Sequence, residues 1–215
     1  MLLAAPALAA PGEDADVRRT ESSCVVREVV GPGDIPLPRA LTAELLDRPD
    51  LCAFLARRHG LAPYTARVLG PGLWRGDDGR GTTGTARLVE NAPSRRVYYA
   101  EGEHRSSAFP TVRARVVVEL YLVERPVPGG RGFTRATARV CVSPESAWAA
   151  GAAKVLRPFV RAVVRHKFTR ALSVAARVGR VAADAPDVFA ADLAAFPDMT
   201  PAQKARLLAA LRSRL

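Results

Sequence analysis

Three histidines, His59, His104 and His166, carry all the imidazole in the chain. None stands in the HExxH or HxxxH spacing that places two metal ligands on one helical face. No GxSxG elbow exposes a nucleophilic serine, and no GxxxxGK run could cradle a phosphate. Cys24, Cys52 and Cys141 lack CxxC spacing, so a structural zinc site has no framework. In an oxidising compartment Cys24 and Cys52 form the candidate bridge, and Cys141, inside a strand-like run, reads as a small buried hydrophobe. Asp77-Asp78 lies in a glycine-rich loop, but two carboxylates are too few for a calcium site. The one acid–base cluster is Glu101, Glu103, His104 and Arg105 at a strand end. It could move protons if one member faced a cavity; otherwise it is the wet rim of a sheet. These patterns assign no catalytic residue, metal or cofactor.

The chain has 215 residues, 48% of them hydrophobic and 25% charged, enough for one domain with appendages. It contains no run of eighteen uncharged apolar residues, the length a membrane-spanning helix needs. The net charge of +11 comes from 29 Arg and 3 Lys against 21 acids. Such basicity points towards nucleic acid, an anionic membrane or an acidic polymer. Between residues 143 and 180 eight basic side chains face one acid, Glu145, so the excess is largely one helical surface. Arg157, Arg161 and Arg165 on that surface are the candidate contacts to an anionic membrane or polymer, or equally a solvated face. The helix carries no exposed aromatics between its arginines, so bases have no stacking platform and nucleic acid is disfavoured.

Residues 1–10, MLLAAPALAA, look like the hydrophobic stretch and small-x-small cleavage site of a truncated export signal. Residues 11–23 read as a polar linker, giving an expected division into a signal segment and linker (1–24), a main domain (25–183) and a helical tail (184–215). Export would place the protein in the periplasm or outside the cell.

Chain order then positions the residues named above. Residues 25–30 are β-branched and precede Gly31-Pro32-Gly33, predicting a short strand and a turn. Residues 39–59 carry helical spacing broken at Pro49, with Asp50 as the expected N-cap of a second helix and Gly60 as its stop. Residues 64–69 read as a further strand before the loop GPGLWRGDDGRG. The period then changes to two over 82–90, 95–104, 111–125 and 132–142. Val116, Val118, Leu120 and Leu122 form one apolar face of the third run; Thr134, Ala136 and Ala138 form a small-residue face of the fourth. Short connections imply an antiparallel meander. Ser143-Pro144 is the expected start of a helix whose later part, 158–178, is strongly amphipathic through Phe159, Val163 and Phe168. A last helix starts at Thr200-Pro201.

A short strand, two helices, a meander and a long amphipathic helix make an α+β order. It resembles the helix-grip layout of the START and Bet v1-like superfamily over residues 25–181. Five strands lie between the helices where that layout has six. The resemblance implies a curved antiparallel sheet gripping the C-terminal helix around an apolar cavity for a hydrophobic small molecule or lipid. Val116, Val118, Leu120, Leu122, Ala136, Ala138, Phe159 and Val163 would line it. The small fourth-strand face implies either a void there or a close approach of the helix. It also admits a cyclase- or hydrolase-like enzyme using Glu101, Glu103 or His104.

Overall fold

A computed structural model describes residues 14–105, 111–127, 132–145 and 157–212. The expected α+β architecture is observed. Strands β1 (Val26–Ile35), β2 (Thr65–Gly70), β3 (Leu73–Asp77), β4 (Thr82–Asn91), β5 (Arg95–His104), β6 (Val112–Arg125) and β7 (Phe133–Pro144) form one antiparallel sheet. Its order is β1-β7-β6-β5-β4-β3-β2. The alternation read from the sequence sets the two faces. Val116, Val118, Leu120 and Leu122 point to the concave side, and Val117, Glu119 and Tyr121 to the convex side.

The glycine-rich loop holds the missing strand. Gly72, at φ +66°, reverses the chain so that β3 pairs with both β2 and β4, with Trp74 opposite Val68 and Ala86. Six strands therefore separate the short helices from the long one. A five-residue strand with only one buried side chain carries too little alternation to be read. Nor does β1 end at Val30: Gly31-Pro32 bulges out, and pairing resumes at Gly33 opposite Ala136. Gly31 has φ +113°, and a Cβ there would meet Ala136 O at 2.9 Å, so the bulge requires glycine. Gly84 and Gly102 face each other across β4 and β5. A Cβ on Gly84 would lie 2.5 Å from Glu101 O, and one on Gly102 would lie 2.6 Å from Thr83 O.

Helices α1 (Ala15–Ser22), α2 (Arg39–Leu46), α3 (Pro49–Arg58), α4 (Arg157–Asp184), α5 (Pro186–Ala195) and α6 (Pro201–Arg212) complete the described chain. Several expectations are corrected. Ser143 and Pro144 belong to β7, where Ser143 is buried and shares a hydrogen bond with Ser23 at 2.6 Å; they open no helix. Asp50 is not an N-cap: Pro49 takes the first helical position and Arg48 grips the buried Asp50 carboxylate. The expected helical tail is observed; it contains two helices, and both dock. Phe189, Leu193, Phe196, Leu207 and Leu211 join the main core with Leu41, Leu45, Leu51 and Leu55. Asp192 receives Arg58 and pairs with His59 at 2.7 Å, tying α5 to the end of α3. The expected start at Thr200-Pro201 is observed, with Thr200 and Gln203 forming a reciprocal cap.

The segment expected as a polar linker contains α1, which covers part of the convex face. Asp14 caps it by accepting the Asp16 and Val17 amides at 3.0 and 3.1 Å, while Val17 and Thr20 are buried with Val89, Val97, Tyr99 and Val117 close by. Arg87 of β4 donates to Asp14 and Asp16 and stacks over the Tyr99 ring at 4.8 Å. Cys24 is bridged to Cys141, not to Cys52, with a Cα–Cα distance of 5.7 Å. Spacing alone hid this because pairing of β1 with β7 joins residues over 100 positions apart.

The Arg87 guanidinium, with smaller contributions from the helix amides, lowers the Asp14 carboxyl from 3.8 to about 2. A depressed carboxyl stabilises the fold above its unfolded value and loses that contribution as pH falls through the folded one. Arg87→Ala is therefore expected to speed tryptic cutting at Arg18 and Arg19 several-fold at pH 7. In the native chain an acid-resistant protease should cut α1 faster as pH falls from 4 towards 2. Equal cutting of variant and native protein would show that Arg87 does not hold α1.

Candidate functional site

One helix spans the concave face. On the β1 side, Leu172 of α4 packs where a Cβ on Gly33 would lie 3.3 Å from its own Cβ, and Gly179 sits against Ile35, Pro36 and Leu37. Gly33, with no side chain of its own, lets the helix sit close, so this part of the interface is filled. Val164, Val174 and Val178 are buried along α4, whereas Ala171 faces solvent.

Two polar anchors tie α4 to β1 on one side and to the start of β4 on the other. Glu28 projects inward from β1, its side chain only 2% exposed, and accepts from Arg161 and, at 3.0 Å, from Arg165. Burial alone would raise this carboxyl; the two guanidinium groups outweigh it and hold it below the usual carboxylate range. On the far side, Lys167 Nζ donates to Asp78 and, at 2.7 Å, to Thr82 Oγ1. Burial again opposes and the Lys167 bond prevails, so Asp78 is also depressed.

Between the anchors the sheet is only half covered. Ala86, Ala100, Gly102, Ala114, Val116 and Val118 stay half-buried, as do Val142 and the Tyr98 ring. Tyr98 packs against Trp74 with ring centroids 6.2 Å apart. Towards the α2–α3 end the concave face closes, and Leu120, Leu122, Ala136 and Ala138 are buried there. The eight expected lining residues therefore divide. Val116 and Val118 stay half-buried in the trough between the sheet and α4, Val163 is half-buried on α4, and Leu120, Leu122, Ala136 and Ala138 are core. The side chains of Phe159 and Arg157 lie outside the described residues. Arg161 and Arg165 are tied to Glu28 yet remain 48% and 63% exposed. With Pro158, Ala162, His166 and Thr169 they border a depression of about 550 Å³ on the outer side of the helix.

The acid–base candidates also separate. Glu101 and Glu103 turn away from the trough, Glu101 accepting from Tyr99, and Glu103 from Arg105 at 2.9 Å and Arg113 at 3.5 Å. His104 faces inward, opposite Thr82 across the ladder, and its Nδ1 lies 2.9 Å from Thr82 Oγ1. Lys167 donates to that same oxygen, so Thr82 Oγ1 links the Lys167 ammonium to the His104 ring. Sequence reasoning missed this link because Lys167, Thr82 and His104 come from three elements. Cys52 is a free thiol held against Leu45 O at 3.2 Å and pushed up to about 12 by burial, which suppresses any nucleophilic role. The described residues hold no group of His, Cys, Asp and Glu fit for a metal ion.

Glu28→Gln keeps the shape and removes the charge that both arginines need. It is expected to destabilise the protein by about 1–3 kcal/mol at pH 7 in denaturant titration. The contribution is present above the unfolded carboxyl range and lost as pH falls below it, so the native and variant curves should converge in acid. A constant difference across pH would remove Glu28 as the source.

No protein-family model and no curated protein matches the chain. Among solved structures it is similar to a conserved protein from Geobacillus kaustophilus (10% identity, TM-score 0.46, covering 72% of this chain and 95% of that one). It is also similar to Ara h 8.0201 (9% identity, TM-score 0.39, 71% and 95%). A third is the di-domain ARO/CYC BexL from the BE-7585A biosynthetic pathway (22% identity, TM-score 0.45, 72% and 49%), of which this chain spans about half. Strand order and element order in the chain itself are those of a helix-grip fold.

Proposed function

We propose that the chain binds a hydrophobic small molecule of the lipid class in the trough between the sheet and α4. The observation that carries this is the apolar floor, Val116, Val118, Ala100 and Ala114, which stays only half-buried inside the grip where a packed core would bury it fully. Solvated apolar surface in a concavity gains from a ligand that displaces its water. Anilinonaphthalene sulfonate should brighten on binding the native protein. Val118→Trp, which fills the trough, should weaken that binding about tenfold or more. Val123→Trp, on the outer face, should leave it unchanged. Equal effects of the two substitutions would overturn the reading.

A second reading, a cyclase- or hydrolase-like enzyme, draws on the inward, oriented His104. It differs from the first in needing turnover that His104→Ala abolishes while dye binding persists.

We also infer export. The bridge between Cys24 and Cys141 supports it, since such bonds persist in oxidising compartments. Residues 1–10, outside the described residues, have the composition of a signal segment. The full chain carrying a C-terminal tag should fractionate outside the cytoplasm, with Cys24 and Cys141 resistant to alkylation until reduced. Recovery in the cytoplasm with both thiols free would refute it.

A further inference from the structure

Two buried donors at the closed end of the trough have no acceptor. Arg96 and Tyr98 are two positions apart on β5, so both project from the concave face, opposite Leu120 and Val118 of β6. Arg96 is only 3% exposed. Its terminal nitrogens reach Asp47, in the link between α2 and α3, and its Nε is left without a partner. The Tyr98 hydroxyl is buried and also lacks one, although the Arg96 guanidinium stands beside it. Burial, which outweighs the nearby guanidinium, raises the Tyr98 phenol, so it keeps its proton and remains a donor. Protein interiors satisfy roughly nine in ten such groups, and two neighbouring failures on one wall indicate that an acceptor belongs between them.

The electrostatics narrow its chemistry. Asp47 already balances the Arg96 charge, so a carboxylate placed here would be a buried anion without a counterion of its own. A neutral oxygen with two lone pairs and no proton meets both donors and adds no charge. The half-buried faces of Tyr98 and Val118 connect this point to the apolar floor.

We propose that the molecule held in the trough carries a carbonyl group at its leading end, with the oxygen received by Arg96 Nε and Tyr98 Oη. This rests on the binding function proposed above and adds the substrate class: ketones, esters or lactones on an apolar body.

The test compares naphthalene with acetylnaphthalene, two probes that differ by one carbonyl-bearing group. Their affinities are read by displacement of anilinonaphthalene sulfonate from the native protein and from Tyr98→Phe. The native protein should bind the ketone at least about tenfold more tightly than the hydrocarbon. In Tyr98→Phe that ratio should fall to about threefold or less, with naphthalene binding unchanged. Arg96→Met should narrow the ratio further; because it also frees Asp47, near-ultraviolet dichroism is recorded to check its fold, and the outcome is decided on Tyr98→Phe. Equal binding of the two probes by the native protein would overturn the carbonyl assignment and leave an ordered water between the donors, with the apolar trough still standing. A ratio unmoved by Tyr98→Phe would overturn the placement. If neither probe nor dye binds, the trough itself fails as a binding site, and the assignment fails with it.

Discussion

A single helix is fastened to two strands that stand four places apart in this sheet. Glu28 on β1 and Thr82 on β4 both reach α4, although β7, β6 and β5 lie between them. At about 4.8 Å per strand a flat sheet would hold those residues some 19 Å apart, while a helix with its side chains is only about 10–12 Å across. The sheet must therefore curl, and a curled sheet cannot lie against a straight cylinder along its whole width. Close contact is made along β1, where Gly33 lets Leu172 in, and over β6, β5 and β4 it gives way to half-buried surface that Lys167 bridges to Thr82. The trough is the geometric remainder of that mismatch. Gly84 and Gly102, facing each other where no Cβ would fit, lie within the curled region.

The same constraint explains the polar groups. A helix seated on only part of the sheet leaves its first half without enough apolar contact, and there it is fastened by Arg161, Arg165 and Lys167. Much of the basicity of this segment thus has an internal role. Such anchors also specify rotation: turning α4 by one residue, about 100°, would carry Lys167 away from Thr82 and leave Glu28 buried without its partners.

Strand positions were legible because β4 to β7 are long and half-buried, with a period of two that a single bulge at Leu88–Glu90 of β4 leaves readable. The long helix was legible for the corresponding reason. The readings that failed depended on distant parts of the chain. Cys24 finds Cys141 only once β1 lies beside β7. The first helix looked like linker because its buried side is just Val17 and Thr20, and its amphipathicity exists only against the convex face. At the site, Val116 and Leu120 share one face of one strand and read identically. Whether each lines space or core is decided by where α2 and α3 land, which no local pattern contains. Arg96 and Tyr98 gave no signal at all, since an arginine and a tyrosine on a strand are ordinary until their hydroxyl and Nε are found without partners.

The bridge between Cys24 and Cys141 spans 117 positions and joins the strands whose pairing closes the longest loop in the sheet. Without it, the β1–β7 ladder forms only after nearly the whole domain has met its own beginning, an ordering cost of about 5 kcal/mol for a loop of this length. When the oxidised chain refolds, that encounter is already made, and a sheet of high contact order behaves as one of lower order. β1 is also the strand on which α4 rests, so the covalent closure hands the helix its seat. An oxidised chain therefore refolds with the ends of its longest loop already held together, whereas a reduced chain must first bring them into contact.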